Sequence, residues 1–378
     1  MKFAIATKQL AAGLKAVMPA VSKRTTLPIL SGVMLEVSSE GLTLQTTDLE
    51  IGIHRILDGA SVVEPGSIVV PTAALAKAIT AMTGHDVELS TDATERPRLS
   101  LRSGSRTVVL DGFSTEDWPR VSHEQSHDVV ASVPAAALAD AFARVAMCAS
   151  DDEARPALTS VALFVEARCN VMQVVATDSY RLGVIPVGIE NTAQTDGSFL
   201  IPARAAAALA KQMKGRRTSI RIAQCKTQDG GPLPTLRFSF GGTTWTVRLI
   251  EGEFPNWRQL LPEPSGASCE FETAELGSAL KAICALRRNG NPVRLSLGET
   301  CSLVLAERDH GEITETLAGA QFSPDGVVAI EVAFNPGYFA DAVRFCGGER
   351  VRVHLRDSLK PALFGTPYAR YLLMPVRI

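Results

Sequence analysis

The chain predicts an α+β fold built from three similar domains, each with two helices packed on antiparallel sheets. Three observations lead there. A pattern of roughly 130 residues recurs along the 378-residue chain, much longer than a solenoid period. Within each copy, runs with apolar residues three or four apart give way to runs in which apolar and polar residues alternate, the marks of helices and half-buried strands. Polar or proline-rich connectors, SHEQSHD at Ser122–Asp128 and PEPSGAS at Pro262–Ser268, separate the copies. The expected domains are residues 1–124, 125–260 and 261–378.

Each copy opens on a helix whose apolar stripe lies on one face: Leu10, Leu14 and Val17; Leu138, Phe142 and Val145; Leu276, Leu280 and Ile283. A strand follows, TLPILSGVMLEV (Thr26–Val37) in the first copy and RPALTSVALFVE (Arg155–Glu166) in the second. A second strand carries Thr-Asp at the same place in both, Thr47-Asp48 within Leu42–Ile53 and Thr177-Asp178 within Met172–Val187. The third copy has Pro292–Leu297 and Ser302–Glu307 here. A second helix comes next: Thr72–Met82, Ala203–Met213 and Pro336–Phe345. Each has proline at or beside its start, where the missing N–H would be unpaired in any case. Alternating strands begin at Asp86, Ser219 and Arg350, and two copies close on an acidic turn with an aromatic-proline pair, Trp118-Pro119 and Phe254-Pro255.

Composition narrows the function. Apolar residues make up 46% of the chain, enough for real cores, and a net charge of −2 excludes an overall basic field. Seven cysteines without CxxC spacing argue against a disulfide framework or zinc ribbon and for a reducing cytoplasm. The opening MKFAIATKQL has no signal-peptide core, and no run approaches the length of a membrane span. His123-Glu124-Gln125-Ser126-His127 matches HExxH, a zinc-protease signature that works only on a helix. Here it lies in a connector without an apolar stripe, so it reads as chance, and a metallopeptidase is the rejected alternative. Neither GxxxxGK[ST] nor GxSxG occurs. The Thr-Asp pairs read as turns, because aspartate satisfies nearby backbone N–H groups. No catalytic residue, metal or cofactor is expected, and the chain is not expected to be an enzyme.

Two features point to binding. Lys8 and Lys15, Arg204 and Lys211, and Lys281 and Arg288 are each seven residues apart, nearly two helical turns, so each pair shares a face. With Arg24, Lys77 and Arg144 they form a candidate DNA-facing set that would bind phosphates without reading bases. Lysine and arginine also simply solvate helix faces; it is the repetition that favours a common surface. The second feature is the apolar C-terminus YLLMPVRI. Leaving Leu372, Leu373, Met374, Val376 and Ile378 in water forfeits roughly 1.5–3 kcal/mol each, so this tail is docked or forms part of a groove.

Together these features resemble the bacterial DNA sliding clamp family, the β subunit of DNA polymerase III. The resemblance covers the whole chain. It is most specific at Thr26–Leu30 with Gly32, Thr177–Leu182, Phe254–Pro262 and Tyr371–Ile378. Arg258–Pro262 and Lys360–Leu363 look like the actinobacterial branch. The resemblance implies a head-to-tail homodimer closing a six-domain ring around double-stranded DNA, with helices lining the hole and sheets outside. It implies a separate ATP-driven clamp loader as partner. The replicative polymerase and other proteins would dock through a short apolar peptide. Matched residue by residue, that peptide's pocket is Leu158, Thr177, Ser179, Tyr180, Arg181, Leu182, Pro255, Leu260, Leu372, Leu373, Met374, Pro375, Val376 and Arg377. Leu158, Leu182 and Met374 would form apolar walls, and Arg181 and Arg377 would bond peptide carbonyls or carboxylates. Many family members have Gly-His or Gly-Tyr at Ser179-Tyr180, and many have arginine at Gln259, so peptide preference is expected to differ. The dimer would pair an edge near Thr107–Leu110 with the third domain near Cys284–Leu286. The alternative of another class is a repeat-built protein-binding scaffold that never encircles DNA.

Overall fold

The computed structural model describes residues 1–22, 25–92, 97–119, 127–191, 196–227, 229–286, 291–307, 311–326, 328–366 and 368–377. It forms two compact units, Met1–Ala135 with Gly215–Leu249, and Ala136–Lys214 with Ile250–Ile378. The strand pairing explains the division. In the first unit an eight-stranded antiparallel sheet joins strands of copies one and two through Thr243–Arg248 against Ile51–Leu57. In the second a nine-stranded sheet joins copies two and three through Arg181–Gly188 against Ala369–Leu373. Each junction between consecutive copies is thus closed by backbone hydrogen bonds, and the second copy is divided between the units. A five-stranded sheet completes the first unit and a four-stranded sheet the second.

The helical stripes read from the sequence are buried as expected. Leu10, Leu14 and Val17 of Thr7–Val17, Leu138, Phe142 and Val145 of Ala135–Val145, and Leu276, Leu280 and Ile283 of Thr273–Leu286 are at most 2% exposed. Ala203–Met213 has the expected bounds, while Thr72–Ala81 stops one residue early, at a Met82 cap in extended conformation. Pro336–Cys346 runs one residue further, and Asn335 caps it by accepting from the Gly337 and Tyr338 N–H groups.

Three expectations need correction. Thr26–Val37 and Arg155–Glu166 are not single strands: Pro28–Ser31 and Pro156–Thr159 are 3-10 turns before the strands Gly32–Ser38 and Ser160–Glu166. Proline sets the turn and lacks the N–H that a ladder needs. Leu42–Ile53 and Met172–Val187 are each two strands, folded at the Thr-Asp pair into hairpins. The connector SHEQSHD was expected to run through Asp128, but His127 already belongs to the strand His127–Pro134. His123–Ser126 lie outside the described residues; His127, at the end of the HExxH match, is in a strand, whereas that chemistry needs a helix.

Candidate functional site

The two hairpin turns are built alike. Asp48 Oδ1 accepts from the N–H groups of Glu50 and Ile51 at 3.1 and 2.8 Å, and Asp178 Oδ1 from those of Tyr180 and Arg181, both at 2.9 Å. Leu49 and Ser179 between them have φ of 75° and 79°, the left-handed region that favours glycine. Glycine would adopt that geometry at Ser179 without strain. The Thr-Asp pairs are turn formers, as their chemistry indicated.

At the second turn, the copy-two and copy-three strands meet in register, with Arg181 opposite Leu373 and Leu182 opposite Leu372. The tail then docks through two backbone bonds, Met374 N–H to the Tyr180 carbonyl at 2.9 Å and Val376 N–H to that of Ala333 at 2.8 Å. Beneath lies a closed apolar cluster of Ala162, Val175, Leu182, Val184, Leu200, Trp257, Leu363 and Leu372. The connector supplies Trp257, with Ile250, Phe254 and Leu261 packed alongside. Arg258 fastens it, its guanidinium 2.5 Å from Glu166 and stacked over the Trp257 and Phe164 rings. Gly183, next to Leu182, permits the close approach of sheet and helix. A Cβ there would fall 2.7 Å from the Phe345 ring and 2.8 Å from Cys148 Sγ.

The fourteen residues expected to form the pocket therefore do not share one place: most separate into floor and rim, while Leu373 and Arg181, paired with each other, lie on the opposite face of the sheet from Leu372 and Leu182. Leu158, Thr177, Leu182, Leu372 and Leu373 are buried, none more than 7% exposed. Tyr180, Leu260, Met374 and Val376 are 40–60% exposed, large apolar groups standing at the surface in spite of the cost. Ser179, Pro255 and Arg377 are exposed, and Pro375 is half-buried. Leu182 was expected as a wall facing the ligand; its pairing with Leu372 inside the cluster makes it floor.

Arg181 is engaged within the protein. Its side chain is only 10% exposed, with Nε 2.9 Å from Asp178 Oδ2 and Nη1 on Asp341. The guanidinium lies 4.3 Å from the centre of the Tyr338 ring, and Tyr338 stacks on Tyr180. Held this way, the Arg181 guanidinium is shared by two carboxylates that tie copy two to copy three, beside the Tyr338 ring on which Tyr180 stacks. Tyr338, Asp341 and Arg155, whose Nη1 lies 3.1 Å from Ser179 Oγ, were missed in the sequence. Arg181 and Asp341 are 160 residues apart, so no local pattern could have joined them. The only sequence signal was the helix start at Asn335-Pro336, which fixes where Tyr338 and Asp341 sit.

The junction in the first unit shows what is particular here. It repeats the Pro28–Ser31 turn, the buried Leu30, the Asp48 turn and a bond from the Arg248 N–H to the Glu50 carbonyl at 2.8 Å. Yet its equivalents of Tyr180 and Met374 are Glu50 and Arg248, both exposed. At these two positions the first junction is charged where the second is apolar, while Leu27 and Leu49 of the first are also exposed.

Of the candidate DNA-facing residues, Lys8, Lys15, Lys77, Arg204, Lys211 and Lys281 are exposed on their helices, opposite the buried stripes. Arg24 and Arg288 lie outside the described residues. Arg144 is committed elsewhere. It donates to the carbonyls of Phe345 and Cys346 at 2.6 and 3.2 Å and pairs with Asp140 at 2.7 Å, which closes the end of the Pro336–Cys346 helix. Among the described residues no cluster of three metal-ligating side chains occurs, and no helix is long and apolar enough to cross a membrane.

Repeated domains and closed sheet junctions describe a three-domain clamp fold. Comparison with known proteins gives the family. The N-terminal, central and C-terminal domain models of the DNA polymerase III β subunit match residues 1–122, 132–256 and 258–377. The chain belongs to the DNA polymerase III β subunit family, the DNA sliding clamps. The β sliding clamp of Bacillus subtilis is 25% identical over 391 residues, all of both chains. That of Staphylococcus aureus is 27% identical over 390, all of this chain and 99% of the other. The crystal structure of the β subunit from Streptococcus pyogenes superposes with a TM-score of 0.91 over the whole of both chains at 22% identity, which speaks for the fold.

Proposed function

We propose that two copies join head to tail into a closed ring of six domains that encircles double-stranded DNA and tethers the replicative polymerase, without catalysis of its own and without reading sequence. The observation that carries this reading is the run of three β-subunit domains over the whole chain. The domain limits proposed are 1–124, 125–260 and 261–378. Two open sheet edges support the dimer. Arg106–Asp111 ends the five-stranded sheet of the first unit, and Gly311–Thr316 ends the four-stranded sheet of the second. Exposed edges invite pairing, and a head-to-tail dimer removes both at each contact. The exposed Val109 and Leu286 lie in the segments expected at that contact. The absence of a Walker motif supports a separate ATP-driven loader. The partner-peptide site is the apolar rim of Tyr180, Leu260, Met374 and Val376 over the Leu158, Leu182 and Leu372 floor. Lys8, Lys15, Arg24, Lys77, Arg204, Lys211, Lys281 and Arg288 face the DNA. The cysteine usage supports a cytoplasmic protein.

The deciding experiment is retention. Direct phosphate contacts weaken steeply as salt rises, because each releases counterions. A threaded ring stays on nicked circular DNA at moderately raised salt after loading, and leaves once that DNA is linearised. Equal loss from circular and linear DNA overturns encirclement and favours the protein scaffold.

A further inference from the structure

A cavity lies on the same face of the nine-stranded sheet as the apolar cluster. Its volume is about 720 Å³, within the size range of ligand sites. Two rungs of the sheet form its base. One runs Glu270, Arg352, Gly365, Arg370 across four strands. The next runs His354, Leu363, Leu372, Leu182, and so continues into the floor of the peptide site. Connector residues Glu263 and Pro264 make the opposite wall.

The charge in this cavity is not balanced. Glu270 forms ion pairs with both Arg350, at 3.2 Å, and Arg352, at 2.9 Å, and the Arg352 hydrogen bond holds its carboxyl below the usual carboxylate range. One carboxylate thus serves two guanidinium groups. Arg370 is half-buried and makes no ion pair among the described residues. Between Arg352 and Arg370 stands Gly365, with φ of 150° and a Cβ position 2.1 Å from the Ala369 carbonyl oxygen, so no side chain can fill the gap. Two strand spacings separate the two arginines, about 9.5 Å at their Cα atoms, room for a carboxylate between them.

We propose that this cavity receives a carboxylate-bearing segment flanking the apolar anchor of a partner peptide. The proposal rests on the peptide site described above and extends it along the same sheet face, from an apolar floor to an arginine-lined one. The floor is continuous through Leu363, and the residual charge is positive. Arginine on either side of the gap suits fork-like recognition of a carboxylate.

The test uses the full chain and synthetic fluorescent peptides with Leu and Phe anchors, flanked at either end by four glutamates or four glutamines. With wild type, glutamates at one end tighten binding about fivefold over glutamines, as an added charge pair does, and the gain shrinks as salt rises. Arg370→Gln removes the gain and leaves the glutamine-flanked peptide unchanged. Binding of the glutamine-flanked peptide without a gain from glutamates at either end overturns the cavity proposal alone, as does a gain that survives Arg370→Gln. No binding of that peptide to wild type overturns the peptide site and this proposal with it. Calorimetric binding of inorganic phosphate that depends on Arg370, with no glutamate gain, replaces the segment by a small anion and also overturns it.

Discussion

Arg181→Met separates a supporting role for this arginine from direct contact with a ligand. The substitution keeps much of the stem but leaves Asp178 and Asp341, 9% and 17% exposed, facing each other without their shared cation. Breaking a buried pair by removing one partner costs about 3–5 kcal/mol, and losing the stack on Tyr338 adds about 0.5–2 kcal/mol. Two contacts moderate this. Asp178 keeps its two backbone donors, and Asp341 keeps Arg344, whose own side chain is 70% exposed and screened. The low end, about 3 kcal/mol, is the expected net cost. Hydrogen exchange followed by mass spectrometry reads it locally, because the strand Arg181–Gly188 opens more often when its junction weakens. Its amides should exchange roughly 150-fold faster than in wild type, at 1.36 kcal/mol per tenfold. Arg181→Lys should recover only part, since one ammonium cannot hold both carboxylates as a fork does. Asp341→Asn adds a second reading. If Arg181 touched peptide, freeing one arm would preserve or strengthen binding; as a support for Tyr338 and Tyr180, it should weaken it. Exchange within about fivefold of wild type for Arg181→Met would refute the reasoning.

Two further outcomes follow from burial and from open edges. Met374→Ala and Tyr180→Ala should weaken an apolar peptide by about 1–3 kcal/mol with little change in melting temperature, whereas Leu182→Ala, 1% exposed, should cost about 2–5 kcal/mol of stability. Calorimetry and peptide titration on the same samples distinguish the two, and equal behaviour of the three variants would erase the division into floor and rim. Val109→Lys, placed in the open edge strand Arg106–Asp111, should shift sedimentation towards the 40.3 kDa single chain, and an unchanged dimer would move the contact elsewhere.

The repeat, the helix faces and the apolar tail were legible in the amino-acid order because each has a local cause. Leu10, Leu14 and Val17 are spaced by the helical period, so their burial follows from one turn of backbone after another. Pro336 and Asn335 start a helix through their own φ and side-chain oxygen. Asp48 and Asp178 fold their turns within three residues. The family resemblance then singled out residues on both strands of one junction, Arg181–Gly188 and Ala369–Leu373, as the proposed peptide site. What the order of residues could not decide is which of them are buried and which stand at the surface. Leu182 and Met374 are similar in character, and only the pairing of Leu182 with Leu372 sinks one while the chain's departure from the sheet at Met374 exposes the other. Arg181 looked like a free cation because Asp341 and Tyr338 reach it from another copy of the repeat. The arginine cavity, likewise, depends on the register that puts Arg352, Gly365 and Arg370 of three successive strands on one rung with Glu270, 82 residues before Arg352. Periodicity and turn chemistry act over a few residues and survive in the sequence; partnership across a sheet depends on register between distant strands, which only the folded chain sets.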